Sequence, residues 1–152
     1  MSRVYKMATL NHKAVNMKSI VLLIIAMAYG ICSYGQIQQS ELYGHWKAKK
    51  IVKKSPNPEL RGVMDGFKNA TFSFLENGDF QLTTESKAPT FQMILRMVEG
   101  AKWKFDSQEQ RIKIGAEEDG YSIMGIYPAR KKSIMRFSLD ESEMIFEMEK
   151  NN

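Results

Sequence analysis

The chain has 152 residues, a formal net charge of +5 and a single cysteine. This length suits one domain of roughly 100–150 residues, and a hydrophobic content of 43% is too high for a disordered chain. One cysteine excludes an intrachain disulfide framework and any multi-cysteine zinc or iron–sulfur site.

The N-terminus has the pattern of a secretory signal peptide. Lys18 precedes an unbroken apolar run at 20–28, and small residues occupy positions 33 and 35. A basic start, an apolar core of about 7–15 residues and small residues at −3 and −1 define such segments. We therefore predict that residues 1–35 are an N-terminal extension and signal peptide helix, cut before Gln36, with translation starting at Met1 or Met17. The run is short for a membrane span of about 20 residues, so a retained anchor is less favoured.

Removal of this segment lowers the net charge and takes away the only cysteine. Residues 1–35 hold four basic residues and no acidic ones, which leaves 18 basic against 17 acidic residues and a net charge of +1. This balance does not support nucleic-acid binding. Cys32 is also removed, and Ile31 before it fits a lipidation signal poorly, so we expect no lipid anchor there. The prediction is a periplasmic or secreted protein of a bacterial cell rather than an outer-membrane lipoprotein.

Residues 36–152 have the patterning of a single all-β domain. Short segments of alternating apolar residues recur, with turn residues between them such as Gly120, Pro128 and Asp140-Glu141. Asn77-Gly78 between two such segments indicates a hairpin with a type I′ turn. We predict strands, in chain order, at 46–53, 70–75, 80–83, 101–105, 111–114, 121–127, 133–139 and 143–148.

Two segments fit this pattern less well. Residues 56–69 have a helix start at Pro58-Glu59, so we expect a long loop with one or two helical turns. Residues 89–98 have an apolar period that suits a helix or a strand, and we favour a strand because the segment lies inside a meander. About eight antiparallel strands predict an up-and-down barrel, with a two-sheet sandwich as the alternative.

Residues 42–46, 72–80 and 100–103, taken in that order, resemble segments of the lipocalin/calycin superfamily. Residues 42–46 (LYGHW) look like its Gly-x-Trp opening. Residues 72–80 are similar to the hairpin of small lipocalin-like domains in exported bacterial proteins, and 100–103 resemble a second Gly-x-x-Trp strand. The resemblance implies a barrel that binds a small hydrophobic ligand in its interior. It also implies a basic side chain from a late strand over the opening tryptophan, for which Arg130 and Arg136 are the available arginines.

The candidate ligand-binding residues are the large apolar side chains that alternation turns inward. An interior this rich in aromatic rings is compatible with a cavity or with a filled barrel, and both interpretations stay open. A filled barrel would instead be a cell-envelope interaction module that presents its outer surface to a protein or glycan. The predicted ligand-binding set is Trp46, Phe72, Phe74, Phe80, Trp103, Phe105, Met135, Phe137, Met144 and Phe146.

Catalytic and metal-binding patterns are absent from residues 36–152. His45 is the only histidine there, so no histidine pair is available to bind zinc, and a Ser-His-Asp triad would have to use His45. His45 precedes Trp46 on a predicted strand and is expected to face solvent. The acidic segment 117–119 is interpreted as a solvated hairpin tip rather than a calcium site. We therefore expect no enzyme, no metal and no cofactor.

The first predicted strand is rich in lysine. Together with residues 130–132, this strand would form a patch for an anionic lipid or glycan, and its lysines are Lys47, Lys49, Lys50, Lys53 and Lys54. Lysine also protects exposed strand edges against aggregation, and we favour this interpretation.

Overall fold

The computed structural model describes residues 35–151, so Cys32 and all of the predicted signal peptide except Gly35 lie outside the described residues. Eight antiparallel strands form one sheet that nearly closes into a barrel, which confirms the predicted fold class. The strands are β1 (Gly44–Lys53), β2 (Thr71–Phe74), β3 (Phe80–Thr83), β4 (Lys102–Asp106), β5 (Arg111–Gly115), β6 (Met124–Lys131), β7 (Ile134–Leu139) and β8 (Ile145–Asn151). The helices are α1 (Gln39–Leu42), a 3₁₀ turn (Pro58–Leu60), α2 (Arg61–Phe67) and α3 (Pro89–Met97).

The sheet is a meander in which the first and last strands pair. Its order is β3-β2-β1-β8-β7-β6-β5-β4, so β3 and β4 are the two edges. These edges meet at a single bridge between Asp79 and Lys102. Backbone bonds from Phe80 N to the Ala101 carbonyl (3.0 Å) and from Trp103 N to the Gly78 carbonyl (2.8 Å) support that closure.

The two ends of the barrel differ. At one end, called the α1 end, α1 leads into β1 and the β6–β7 turn lies nearby, because Arg130 forms an ion pair with Glu41. At the other end, called the lid end, α2 joins β1 to β2 and α3 joins β3 to β4. The β5–β6 loop and the β7–β8 turn complete the rim of the lid end.

Every second side chain along the strands points inward, and these apolar side chains fill the interior. In β7, Met135, Phe137 and Leu139 are buried, while Arg136 between them lies on the outer face and pairs with Glu147 at 2.6 Å. The ring of Phe137 lies 5.8–5.9 Å from the rings of three other aromatic residues, Trp46, Phe72 and Phe74. The centre of the barrel is therefore a packed aromatic core.

The hairpin between β2 and β3 is confirmed, but its turn is not type I′. Gly78 N donates to the Leu75 carbonyl (3.0 Å), and only Gly78 in this turn has a positive φ, at 85°. A type I′ turn would need a positive φ at both central residues. Here the Asn77 side chain accepts from Asp79 N (3.0 Å), which holds the chain in a type I turn closed by a left-handed glycine.

The strand prediction for residues 89–98 was wrong, because 89–97 form α3. Pro89 occupies the first helical turn, where its missing N–H costs no hydrogen bond. Phe91 is fully buried, whereas Met93 and Met97 are 63% and 59% exposed, which is a helical and not a strand pattern. The predicted helical turns in 56–69 are confirmed by the 3₁₀ turn and α2.

Pro128 was expected to separate two strands but lies inside β6, opposite Phe137 of β7. Strand β5 pairs with β6 only at Gly125 and Ile126. One edge of β6 is therefore free beyond Ile126, and a residue without an N–H is tolerated there. Among residues 35–151, none of the helices has the length and apolar content needed to cross a membrane.

Candidate functional site

The predicted ligand-binding residues form the packed core of the barrel. Nine of them are buried and Phe105 is half-buried. Ring-to-ring distances such as 5.0 Å between Phe74 and Trp103 and 5.5 Å between Phe74 and Phe80 show that these side chains contact one another. Of the set, only Met144 lines the cavity at the lid end that is described below.

Both tryptophans are held by hydrogen bonds at the α1 end. Trp46 Nε1 donates to the Leu42 carbonyl at 2.8 Å, and Trp103 Nε1 donates to the Leu75 carbonyl at 2.9 Å. Since a buried indole N–H needs an acceptor, these bonds fix the start of β1 and the β2–β3 hairpin against the barrel.

The basic side chain over the opening tryptophan is neither of the predicted arginines. Lys150 places its Nζ 5.3 Å from the centre of the Trp46 ring. The β1–β8 register explains this, because Trp46 lies directly opposite Lys150. Arg130 instead pairs with Glu41, and Arg136 pairs with Glu147.

The lid helices pack closely because α2 presents a glycine to α3. A Cβ at Gly66 would overlap the side chain of Phe91, so only glycine permits this approach. The Phe91 ring lies 4.8 Å from the Phe67 ring in an edge-to-face arrangement. Phe67 in turn stacks over Phe72 (5.8 Å) and reaches Phe146 (5.2 Å), so the lid rests on the top of the core.

A cavity of about 340 Å³, called the lid cavity, lies between these helices and the rim of the barrel. Its volume is at the lower end of the roughly 300–1,000 Å³ typical of small-molecule sites. Most of its wall is apolar. The apolar lining residues are Leu60, Val63, Phe67, Ile94, Met97, Ile123, Met124, Leu139 and Met144.

The polar wall of the lid cavity is built around Arg111. Its guanidinium forms an ion pair with Asp140 and covers Gly125, where an added Cβ would lie 2.6 Å from Arg111 Nε. Arg111 Nε is buried without an acceptor. Glu141 completes this wall, and its backbone has a left-handed conformation with a φ of 64°. The cavity therefore combines an apolar wall with one cation and two carboxylates.

The sequence interpretation missed most of this site. Its lid residues lie in two segments that the sequence interpretation took for a loop and a strand. Its polar wall depends on the contact between Arg111 of β5 and Asp140 of the β7–β8 turn, which are 29 residues apart in the sequence. One signal was available, since the helical period at 89–98 predicts an apolar face with Ile94 on it.

A second concavity, called the basic groove, lies at the α1 end and has a volume of about 790 Å³. It is wider than the lid cavity and carries more charge. Its lining residues are Trp46, Lys49, Arg130, Lys132, Ser133, Ile134, Met135, Glu147, Met148, Glu149 and Lys150.

The remaining candidates show no catalytic arrangement within residues 35–151. His45 is exposed as expected, and its Nδ1 lies 2.7 Å from the Ser73 hydroxyl oxygen on the outer face of the sheet. No group of three or more His, Cys, Asp or Glu side chains in this part of the chain is arranged to hold a metal. Comparison with protein-family models, with curated proteins and with solved structures finds no match to this chain.

Proposed function

We propose that this protein is an exported β-barrel that binds a small hydrophobic molecule, and that the molecule lies in the lid cavity. The observation that carries the proposal is the cavity itself: about 340 Å³ of space with an apolar wall, beside an interior packed with aromatic rings. Concave sites that are mostly apolar with a few polar groups are the usual form of small-molecule sites.

In this proposal the ligand lies at the rim of the barrel and not at its centre, where the resemblance implied it. Phe67, Phe91 and Phe72 occupy the space under the lid, so a ligand in the centre would have to displace them. A ligand in the lid cavity needs no such displacement. Met97, which is 59% exposed, lies beside the opening and can adapt to different ligand shapes.

The alternative, an interaction module that binds a partner through its lysine-rich first strand, has weaker support. Lys49 pairs with Glu149 and Lys53 pairs with Glu143, both at 2.7 Å. These acids neutralise part of the charge that the partner would recognise.

A fluorescent fatty-acid probe tests the proposal on the purified barrel, residues 36–152. We expect saturable binding that Ile94→Trp weakens about tenfold, because the indole takes the place of one or two buried methylenes of the ligand. Met93→Trp is the matched control, since Met93 is the neighbouring α3 residue, is exposed and does not line the cavity. Circular dichroism of each variant checks the fold.

No saturable binding to the wild-type barrel refutes the proposal. Equal weakening by the Ile94 and Met93 variants places the probe outside the lid cavity and refutes the assigned site.

A further inference from the structure

The basic groove carries more positive charge than its surroundings neutralise. Four cationic side chains line it, at Lys49, Arg130, Lys132 and Lys150. Lys49 pairs with Glu149, and Arg130 pairs with Glu41. The other acid of the lining, Glu147, pairs with Arg136 outside the groove. Lys132 and Lys150 therefore remain without an ion-pair partner among residues 35–151, and the groove has an excess of two positive charges.

Protection of the free edge of β1 does not explain the two lysines that lack an ion-pair partner. Strand β1 pairs with β8 along its length but with β2 only from Gly44 to Lys47, so one side of β1 has no strand partner beyond Ala48. Edge protection therefore stays an interpretation for Lys49 and Lys50, whereas Lys47 lies between two paired strands. Lys132 lies in the β6–β7 turn and Lys150 lies in β8 opposite Trp46, so neither belongs to that stretch of β1, and binding of an anion is the explanation to test.

The floor of the groove is apolar. Met135, Met148 and Trp46 line it from the core, and Ile134 is 42% exposed at its side. Cations beside an exposed apolar surface match a molecule that has a phosphate and a hydrocarbon part. A nucleic acid or a glycan has no acyl chain to cover this apolar surface, and residues 36–152 carry a net charge of only +1.

We propose that the basic groove docks the barrel on a membrane surface by binding the phosphate head group of an anionic phospholipid. Lys132 and Lys150 contact the phosphate, while Ile134 contacts the glycerol and the first methylenes of the acyl chain. The groove is at the opposite end of the barrel from the lid cavity. The two sites therefore use different residues and can be tested separately.

Co-sedimentation of the purified barrel with vesicles tests this docking. We expect binding to vesicles of phosphatidylglycerol and phosphatidylcholine and none to phosphatidylcholine alone. Lys132→Glu should weaken the partition by at least about fivefold, since each cation near an anionic surface contributes about that factor. The matched control is Lys54→Glu, which makes the same charge change at an exposed position of the lid end. Ile134→Ser should also weaken binding, most clearly at high salt, where charge interactions are screened.

Several results would overturn the docking. They are equal binding to both kinds of vesicle, equal weakening by the Lys132 and Lys54 variants, and unchanged binding of Ile134→Ser. Binding to heparin without binding to vesicles would replace the lipid with a glycan. Failure of the lid-cavity proposal is distinguishable, because Lys132→Glu should leave the fatty-acid probe affinity unchanged.

Discussion

Replacement of Gly66 by alanine tests whether a single glycine permits the lid to close. The added Cβ would lie within 2.5 Å of three side-chain carbons of Phe91, which is fully buried. Overpacking of this kind costs about 1–3 kcal/mol, and the rigid ring places this case near the upper limit. Alanine is favoured over glycine in a helix by up to about 1 kcal/mol. We therefore expect Gly66→Ala to lower the free energy of unfolding by about 2 kcal/mol.

Gly62 provides the matched control on the same helix. Its added Cβ would meet the Thr90 hydroxyl, which belongs to an exposed side chain that can rotate away. Gly62→Ala should therefore be close to neutral. Urea unfolding followed by tryptophan fluorescence measures both variants, because both tryptophans lie in the barrel.

A double-mutant cycle isolates the contact with the ring. Phe91→Ala alone should cost about 3–5 kcal/mol. In that background the clash is absent, so Gly66→Ala should become neutral or stabilising by up to about 1 kcal/mol. The reasoning is refuted if Gly66→Ala is harmless in the wild type, or if it costs as much with Phe91 removed as with Phe91 present.

Two further predictions concern charged groups on the outer surface. The Glu109 backbone N–H and the Lys113 ammonium hold the pKa of Asp106 below its ordinary 3.8, so its stabilisation is present above that pH and is lost as pH falls through the lower pKa. Asp106→Asn should unfold at lower urea than the wild type at pH 7, and the difference should shrink below about pH 4; a constant difference would contradict the assignment. Lys150→Met should lower the free energy of unfolding by about 0.5–1 kcal/mol through loss of the cation–π contact with Trp46, and Lys150→Arg should retain most of it. Urea midpoints measure both, and equal midpoints for the methionine and arginine variants would exclude the cation–π contribution.

The strands could be predicted because the alternation of apolar residues that indicates each strand lies within a short segment of sequence. Alternation at 133–139 places Met135 and Phe137 inward whatever the neighbouring strands are, and the structure buries both. The segment 89–98 was not predictable in the same way, since its period suits a helix or a strand. The helix is favoured because it places Phe91 in the space over Gly66. This contact joins residues that are 25 positions apart in the sequence.

The two candidate sites were less predictable than the fold because each depends on register. The residue over Trp46 is Lys150 since β1 and β8 pair with two irregularities, between Ala48 and Lys50 and between Ile51 and Lys53. A shift of one residue would have turned Lys150 to the other face of the sheet. No local pattern in the sequence indicates where such irregularities occur.

The position of the lid cavity follows from the size of the barrel. An eight-stranded barrel is just wide enough for its side chains to fill it or for one small ligand. Residues 36–152 contain no cysteine and so have no disulfide to offset a loss of core packing. Opening a central cavity by removing one phenylalanine such as Phe137 would cost about 3–5 kcal/mol, a large part of the 5–15 kcal/mol that stabilises a typical domain. A site between the lid and the rim avoids this cost, and the contacts of α2 and α3 then determine which molecules fit.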